Sequence, residues 1–286
     1  MIVKKRHIDP NKPKIRLPAG REYVTVKEIV KSNHLHTICE SGNCPNISQC
    51  WANGTATFMI LGDICTRSCR FCSVKTGKPA APDTSEPENI ARSVKLMNLR
   101  HCVITSVDRD DLPDGGSIIW AETVNKIREL SPGTTIETLI PDFKGVYENI
   151  RRVIDVRPEI VSHNLETIRR LTGSVRIQAR YDSSLDVLRI LNEHGITTKT
   201  GIMTGLGETM TEIKETMQDV YATGCRIFTA GQYLQPDKNC IPVTKFYSED
   251  EFREIKETGL SIGFKIVESG SLIRSSFNAE KHLTLI

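Results

Sequence analysis

Nine cysteines are spread over this 286-residue chain, and six of them fall into two triplets. The tighter one is Cys65-Thr-Arg-Ser-Cys69-Arg-Phe-Cys72, with three and then two residues between the thiols. A loop of this kind can wrap a small cubic iron–sulfur cluster, one thiolate to each iron. Three thiolates on a four-iron cube leave one iron open to a substrate or cofactor. Structural zinc is the competing reading, but zinc sites usually set one closely spaced cysteine pair against a second, distant pair. The looser triplet is Cys39, Cys44 and Cys50, spaced C-x4-C-x5-C in a loop-like stretch rich in Gly, Asn, Ser and Pro. It contains no C-x2-C pair, and it too leaves a metal centre one ligand short. An odd number of cysteines with no recognisable secretion signal points to metal binding in a reducing compartment, so a cytoplasmic location is expected.

Thiols in a loop need a scaffold, and the rest of the chain supplies a rhythm for one. Short β-branched runs at 55–61, 102–107, 135–140, 159–162, 197–203 and 226–232 read as strands. Amphipathic stretches at 86–98, 117–129, 145–154, 184–193, 208–222 and 249–258 read as helices. Ile90, Val94 and Met97 fall at helical spacing, as do Ile213, Met217 and Val220, while Pro87, Pro132 and Pro158 sit where elements begin or end. Six such repeats predict an α/β fold with a parallel sheet and helices outside it. A closed (β/α)8 barrel needs eight units, so the expectation is a partial (β/α)6 TIM-like barrel over 55–262. An N-terminal extension (1–54) carries the looser cysteine triplet, and a C-terminal segment (263–286) follows the barrel. Sites on such sheets lie at the carboxyl ends of strands. The segments at those ends are 65–72, 108–116, 164–166, 205–208 and 233–236.

Composition narrows the rest. With 38% hydrophobic and 26% charged residues the chain is ordinary for a globular protein, and no apolar run approaches the ~20 residues of a membrane span. No membrane and no nucleic-acid partner is expected. The net charge of +3 is uneven: Lys4, Lys5, Arg6, Lys12, Lys14 and Arg16 face Asp9 alone, with Pro10, Pro13 and Pro18 favouring an extended chain. That segment reads as a solvated tail or as a basic strap for an acidic partner protein; it has no aromatic residue to stack on bases. The acidic loop from Asp108 is no calcium loop, because Pro113 and Ile119 stand where Gly and Glu are required. Gly201, Gly205 and Gly207 do not form G-x-G-x-x-G, and Glu208 suits the start of a helix. Cys102 and Cys225 open strands and read as core residues.

The two triplets in the forms CxxxxCPNxxxCW and CxxxCxFC occur with further stretches: Val107-Asp-Arg-Asp-Asp-Leu-Pro-Asp-Gly-Gly116, Glu137-Thr-Leu-Ile-Pro-Asp142, His163-Asn-Leu-Glu-Thr167, Gly201-Ile-Met-Thr-Gly-Leu-Gly-Glu208, Gln232-Tyr-Leu-Gln-Pro236 and Arg274-Ser-Ser-Phe277. Together, from about residue 12 to 279, they resemble the lipoyl synthase family of radical S-adenosylmethionine (SAM) enzymes. The resemblance implies a partial barrel and two [4Fe–4S] clusters. Cys65, Cys69 and Cys72, with Phe71 in the same motif, would hold the cluster whose open iron takes SAM. Ser106 and Asp108 are candidates beside its cationic groups. Asn164 and Glu166 are candidates for its ribose hydroxyls, and Arg180 for its carboxylate. Cys39, Cys44 and Cys50 would hold an auxiliary cluster, with a tail serine as fourth ligand: Ser276, with Ser275 the runner-up. A hydroxyl is a harder, weaker partner for such an iron than a thiolate, so that iron leaves most easily. The chain departs from the family at Phe277 (Tyr), Ile15 (Trp) and Cys240 (often His), and Cys240 receives no role.

The implied reaction inserts two sulfur atoms, at C6 and C8, into an octanoyl group on a lysine of a lipoyl carrier domain. The implied carriers are the E2 subunits of 2-oxoacid dehydrogenases and the H protein of glycine cleavage. A flavodoxin- or ferredoxin-type reductant and an iron–sulfur cluster carrier are further implied partners. Such C–H bonds carry no acidic proton, so general-base catalysis cannot open them and a radical cofactor is required. A biotin-synthase-like sulfur inserter is the alternative within the class, disfavoured because the second triplet precedes the radical motif. A plain iron–sulfur electron carrier needs neither an open iron nor a barrel.

Overall fold

A computed structural model describes residues 9–14, 21–32, 35–42, 44–52, 55–277 and 279–283. Helix α1 (Arg21–Ser32), strand β1 (His36–Thr37) and the short helices α2 (Ile38–Ser41) and α3 (Ile47–Ala52) precede the barrel. Strand β2 (Thr55–Ile60) opens the barrel and is followed by two small strands, β3 (Ile64–Cys65) and β4 (Lys75–Thr76), and by α4 (Glu86–Leu96). The repeats continue with β5 (His101–Ser106) and α5 (Ser117–Leu130), then β6 (Thr135–Leu139) and α6 (Tyr147–Asp155). Strand β7 (Ile160–Ser162) leads to α7 (Arg169–Val175) and α8 (Tyr181–Glu193). The last units are β8 (Thr198–Thr204) with α9 (Met210–Ala222) and β9 (Ile227–Gln232) with α10 (Glu249–Ile262), before β10 (Ile266–Gly270) and α11 (Ala279–His282).

The main sheet runs β1-β2-β5-β6-β7-β8-β9-β10; β1 is antiparallel to β2 and every other pairing is parallel. This is the open, partial barrel that six βα repeats require. Strands β2 and β9 are buried along their whole length, and β5, β6 and β8 nearly so, which is why they show no in–out alternation. One apolar core lies under β2, β5 and β6 with α4–α6, and a second under β8 and β9 with α8–α10. Caps set the helix starts: Thr209 with Glu212 and Ser248 with Glu251 form capping boxes, and Gly263 ends α10 in the left-handed region.

The sheet runs past the limits drawn from the sequence at both ends. Strand β10 extends it to Gly270, inside the stretch set apart as a C-terminal segment, and β1 extends it into the N-terminal one. Both are hard to see locally: β1 has two residues, and only the first two of the five in β10 are buried. Of the basic N-terminal residues, Lys4, Lys5, Arg6 and Arg16 lie outside the described residues. Lys12 and Lys14 are exposed, on a segment whose Asn11 donates to the Phe246 carbonyl (3.5 Å). Cys102 and Cys225 are fully buried, as their positions at strand starts suggested.

Candidate functional site

The tighter triplet lies at the carboxyl end of β2. Strands β3 and β4 pair in parallel, Ile64 with Lys75 and Cys65 with Thr76, and so pin both ends of the loop between them. Inside that loop the Cys72 N–H donates to the Cys69 carbonyl (3.1 Å). The Arg67 and Asp108 N–H groups point at the Cys65 sulfur (3.4 and 3.3 Å), and the Val74 N–H at the Cys72 sulfur (3.5 Å). Burial pushes the Cys69 thiol up to about 12, with Arg176 opposing, and the Cys72 thiol up to about 11. A thiolate here needs a cation beside it. Donors aimed at sulfur, and thiols that will not ionise alone, are what a cluster-binding loop requires.

One side chain missed at the level of sequence clamps this loop. Arg67, buried between Cys65 and Cys69, forks onto two carboxylates: Asp110 (2.8 and 3.0 Å) and Asp142 (2.9 and 2.6 Å). A third, Asp108, lies 3.4 Å away. Burial would raise the Asp142 carboxyl, but hydrogen bonds and charge from Arg67 hold it down at about 2. Asp108, buried beside two other carboxylates, is pushed up to about 6 against the pull of Arg67. The far half of the loop is held by backbone: Arg70 N–H to the Val175 carbonyl (2.9 Å) and Ile241 N–H to the Arg70 carbonyl (2.9 Å). Phe71 packs into a small apolar cluster with Val175, Leu206 and Tyr233. Cys240 sits against the loop, its thiol 3.5 Å from the Cys72 carbonyl.

The looser triplet is built on two short helices. Thr37 caps α2, which carries the buried Cys39, and α3 carries Cys50; Trp51 is buried and stacks on Tyr23 at 5.1 Å. Burial and the neighbouring Cys44 push Cys39 up to about 12, and burial with Cys39 and Cys44 does the same to Cys50. These mutual effects place the three sulfurs in one electrostatic neighbourhood. The Ser73 hydroxyl donates to the Ser41 carbonyl (2.8 Å), tying the two cysteine segments together.

The tail after β10 returns to this place. The Asn46 amide, between Cys44 and Cys50, donates to the Leu272 carbonyl (2.6 Å). Arg274 lies within electrostatic reach of Cys44, and the Phe277 N–H closes a turn onto the Arg274 carbonyl (2.9 Å), with Ser275 and Ser276 at its centre. The Ser275 hydroxyl accepts from the Asn164 amide (3.0 Å), whereas the Ser276 hydroxyl makes no hydrogen bond to a described residue.

Among the other expected residues, Ser106 ends β5 with a buried hydroxyl that lacks a partner among the described residues, and the Asn164 carbonyl oxygen is in the same state. Glu166 follows β7 with a positive φ of 65°, and burial raises its carboxyl against the pull of Arg176. Buried polar atoms without partners are the kind of cradle a polar ligand fills. Arg180 is not brought to this group: it is exposed at the N-cap of α8. Besides Arg67, the buried Arg176 faces the site; it opposes the burial that raises Cys69 and pulls on Asp108 and Glu166. Its only sequence signal is a basic residue between α7 and α8, a property Arg180 shares.

The Radical SAM superfamily model matches residues 59–220. A protein named lipoyl synthase from Flavobacterium johnsoniae is 56% identical over 281 residues, covering 97% of this chain and 98% of that one. One from Christiangramia forsetii is 56% identical over 276 residues (95% and 94%), and a mitochondrial one from Nematostella vectensis is 55% identical over 280 (96% and 96%). Among solved structures, methylornithine synthase aligns with a TM-score of 0.54 at 12% identity, covering 89% of this chain and 78% of that one. Coproporphyrinogen III oxidase from Escherichia coli aligns with a TM-score of 0.51 at 11% identity (72% and 51%). The two structural likenesses speak for the fold alone.

Proposed function

Because the chain belongs to the lipoyl synthases of the radical SAM superfamily, we propose which of its residues carry each part of the reaction. The enzyme inserts sulfur at C6 and C8 of a protein-bound octanoyl group, using SAM and two [4Fe–4S] clusters. Cys65, Cys69 and Cys72 hold the SAM-side cluster, and Cys39, Cys44 and Cys50 with Ser276 hold the auxiliary one. When bound, the first supplies the electron that splits SAM and the second supplies the sulfur. The observation that carries the second assignment is the return of the tail to Cys44, with one serine engaged by Asn164 and the next without a hydrogen bond to a described residue.

The protein's own work is positioning. Arg67, through Asp110 and Asp142, fixes the Cys65 half of its loop against the loops after β5 and β6. Phe71 seats the Cys72 half against an apolar cluster. Asp108 and Ser106 favour the cationic end of SAM, Glu166 and the Asn164 carbonyl oxygen receive ribose hydroxyls, and Arg176, rather than Arg180, offers charge to the carboxylate. Octanoylated carrier domains, the E2 subunits and the H protein, are the substrates. A flavodoxin- or ferredoxin-type protein would serve as reductant for the SAM-side cluster, and an iron–sulfur cluster carrier would restore the auxiliary one. A reducing, cytoplasmic setting suits nine free thiols. No helix among the described residues is long and apolar enough to cross a membrane.

The test is anaerobic turnover of the cluster-loaded protein on an octanoylated carrier domain with SAM and dithionite, read by intact mass. Replacement of two hydrogens by two sulfurs is expected. Formation of 5′-deoxyadenosine with an unaltered carrier would refute the assignment.

A further inference from the structure

Resting on the assignment of Ser276 to the auxiliary cluster, we propose that Asn164 and Ser275 form a latch that presents Ser276 and would stay closed whether or not that serine held an iron. Three separate parts of the fold grip the tail ahead of Ser276. Asn46, beside Cys44, holds the Leu272 carbonyl at 2.6 Å. Gly231, at the end of β9, lets the tail backbone pass against the sheet: any Cβ there would strike the Ile273 carbonyl oxygen. Asn164, buried just beyond β7, donates to the Ser275 hydroxyl at 3.0 Å. The turn closed by the Phe277 N–H on the Arg274 carbonyl places Ser275 and Ser276 side by side at its centre. Pinning one hydroxyl of that pair therefore sets where the other points.

The pair divides two jobs that one serine cannot do together. Ser275 spends its hydroxyl on the protein, and Ser276 keeps its own for the metal. Release of the auxiliary iron would cost Ser276 its ligand bond. A tail tethered by that bond alone would lose its ordering when the bond broke. The two hydrogen bonds are protein to protein and would not depend on that bond, so they would keep the serine at high effective concentration. Asn164 is then a positioning residue: its amide nitrogen holds the tail, and the same side chain hydrogen-bonds the Glu166 carboxylate. Further on, Ala279 and His282 of α11 are buried, which keeps the far end of the tail in place and limits loosening to residues 272–277.

Hydrogen–deuterium exchange of the tail amides, on the anaerobically prepared, cluster-loaded protein, tests this. Ser275→Ala and Asn164→Ala should each speed exchange in 273–277 by about tenfold, the size set by losing one hydrogen bond. The double variant should exchange no faster than either single, because both remove the same bond. Ser275→Thr keeps the hydroxyl and should restore wild-type exchange. Ser276→Ala should leave exchange unchanged while product is lost. In Ser275→Ala, 5′-deoxyadenosine should still form while lipoyl product falls. Unchanged exchange in Ser275→Ala, or loosening by Ser276→Ala as large as by Ser275→Ala, would overturn the latch. Loss of SAM cleavage in Asn164→Ala with an undisturbed tail would do the same, leaving Asn164 a SAM ligand only. Normal product from Ser276→Ala would instead refute the ligand assignment, and the exchange data would still decide the latch.

Discussion

Replacing Arg67 by lysine keeps the charge and removes the fork. The guanidinium serves Asp110 and Asp142 with two hydrogen bonds each. An ammonium is a point donor on a flexible stem and cannot span both carboxylates. The size of the loss is set by Asp142, whose side chain is 5% exposed. Its carboxyl stands at about 2 against an ordinary 3.8, because Arg67 outweighs the burial that would raise it. That difference is worth about 2 kcal/mol at neutral pH. Charge-assisted hydrogen bonds to one carboxylate give a similar figure, about 1.5–3 kcal/mol. Arg67→Lys should therefore lower the melting temperature of the cluster-loaded protein by about 4–8 °C. Arg67→Met, which strands three carboxylates, should cost about 3–5 kcal/mol. Because the arginine sits between Cys65 and Cys69, 5′-deoxyadenosine formation should also slow, by about 10- to 100-fold for a shift of an ångström. Anaerobic calorimetry and a timed nucleoside assay measure both. A lysine variant melting within about a degree of wild type, or a methionine variant no worse than the lysine one, would refute the clamp.

Alanine at Cys65, Cys69 or Cys72 should abolish SAM cleavage, while alanine at Cys39, Cys44 or Cys50 should preserve cleavage and stop sulfur insertion; nucleoside and product analysis separate the two. Iron and sulfide content should correspond to two clusters per chain in the wild type, and to one after loss of either triplet. His163 and His282, both held down at about 4 by burial, are neutral in the fold and protonated near 6.5 when unfolded. The unfolded state thus binds more protons between those values, and stability should fall by about 1.4 kcal/mol per histidine from pH 7.5 to 5.5. His282→Gln should remove one share of that drop in urea titrations at the two pH values, and an unaltered drop would contradict the reading. Neutralising Lys4, Lys5, Arg6, Lys12, Lys14 and Arg16 should weaken capture of an acidic carrier domain at low salt and flatten its salt dependence, measured by surface-bound carrier titration.

What could be read without a structure is what neighbours along the chain decide. The spacing of Cys65, Cys69 and Cys72 is a property of one short loop, and the βα rhythm comes from periodicities within each segment. The partial barrel, the two thiol triplets and the likeness of the tail motif to its family are all of that kind. The partners that hold the site are not. Arg67 meets Asp142 from 75 residues away, and Asn46 meets the tail carbonyl across 226. The first exists because the sheet order brings the ends of β2 and β6 to one mouth, the second because the segment after β10 returns to the short helices before β2. Strand β10 was missed because it is a strand by pairing with β9, with little burial of its own to mark it. Arg176 and Arg180 are alike in sequence and differ by which faces inward as α7 gives way to α8. Ser275 and Ser276 are adjacent and chemically identical, and only the packing of Asn164 against the returning tail gives one of them, Ser275, a protein partner. Local spacing determines which chemistry the chain can hold, but which side chain is spent on holding it depends on contacts between segments that meet only once the barrel has closed around them.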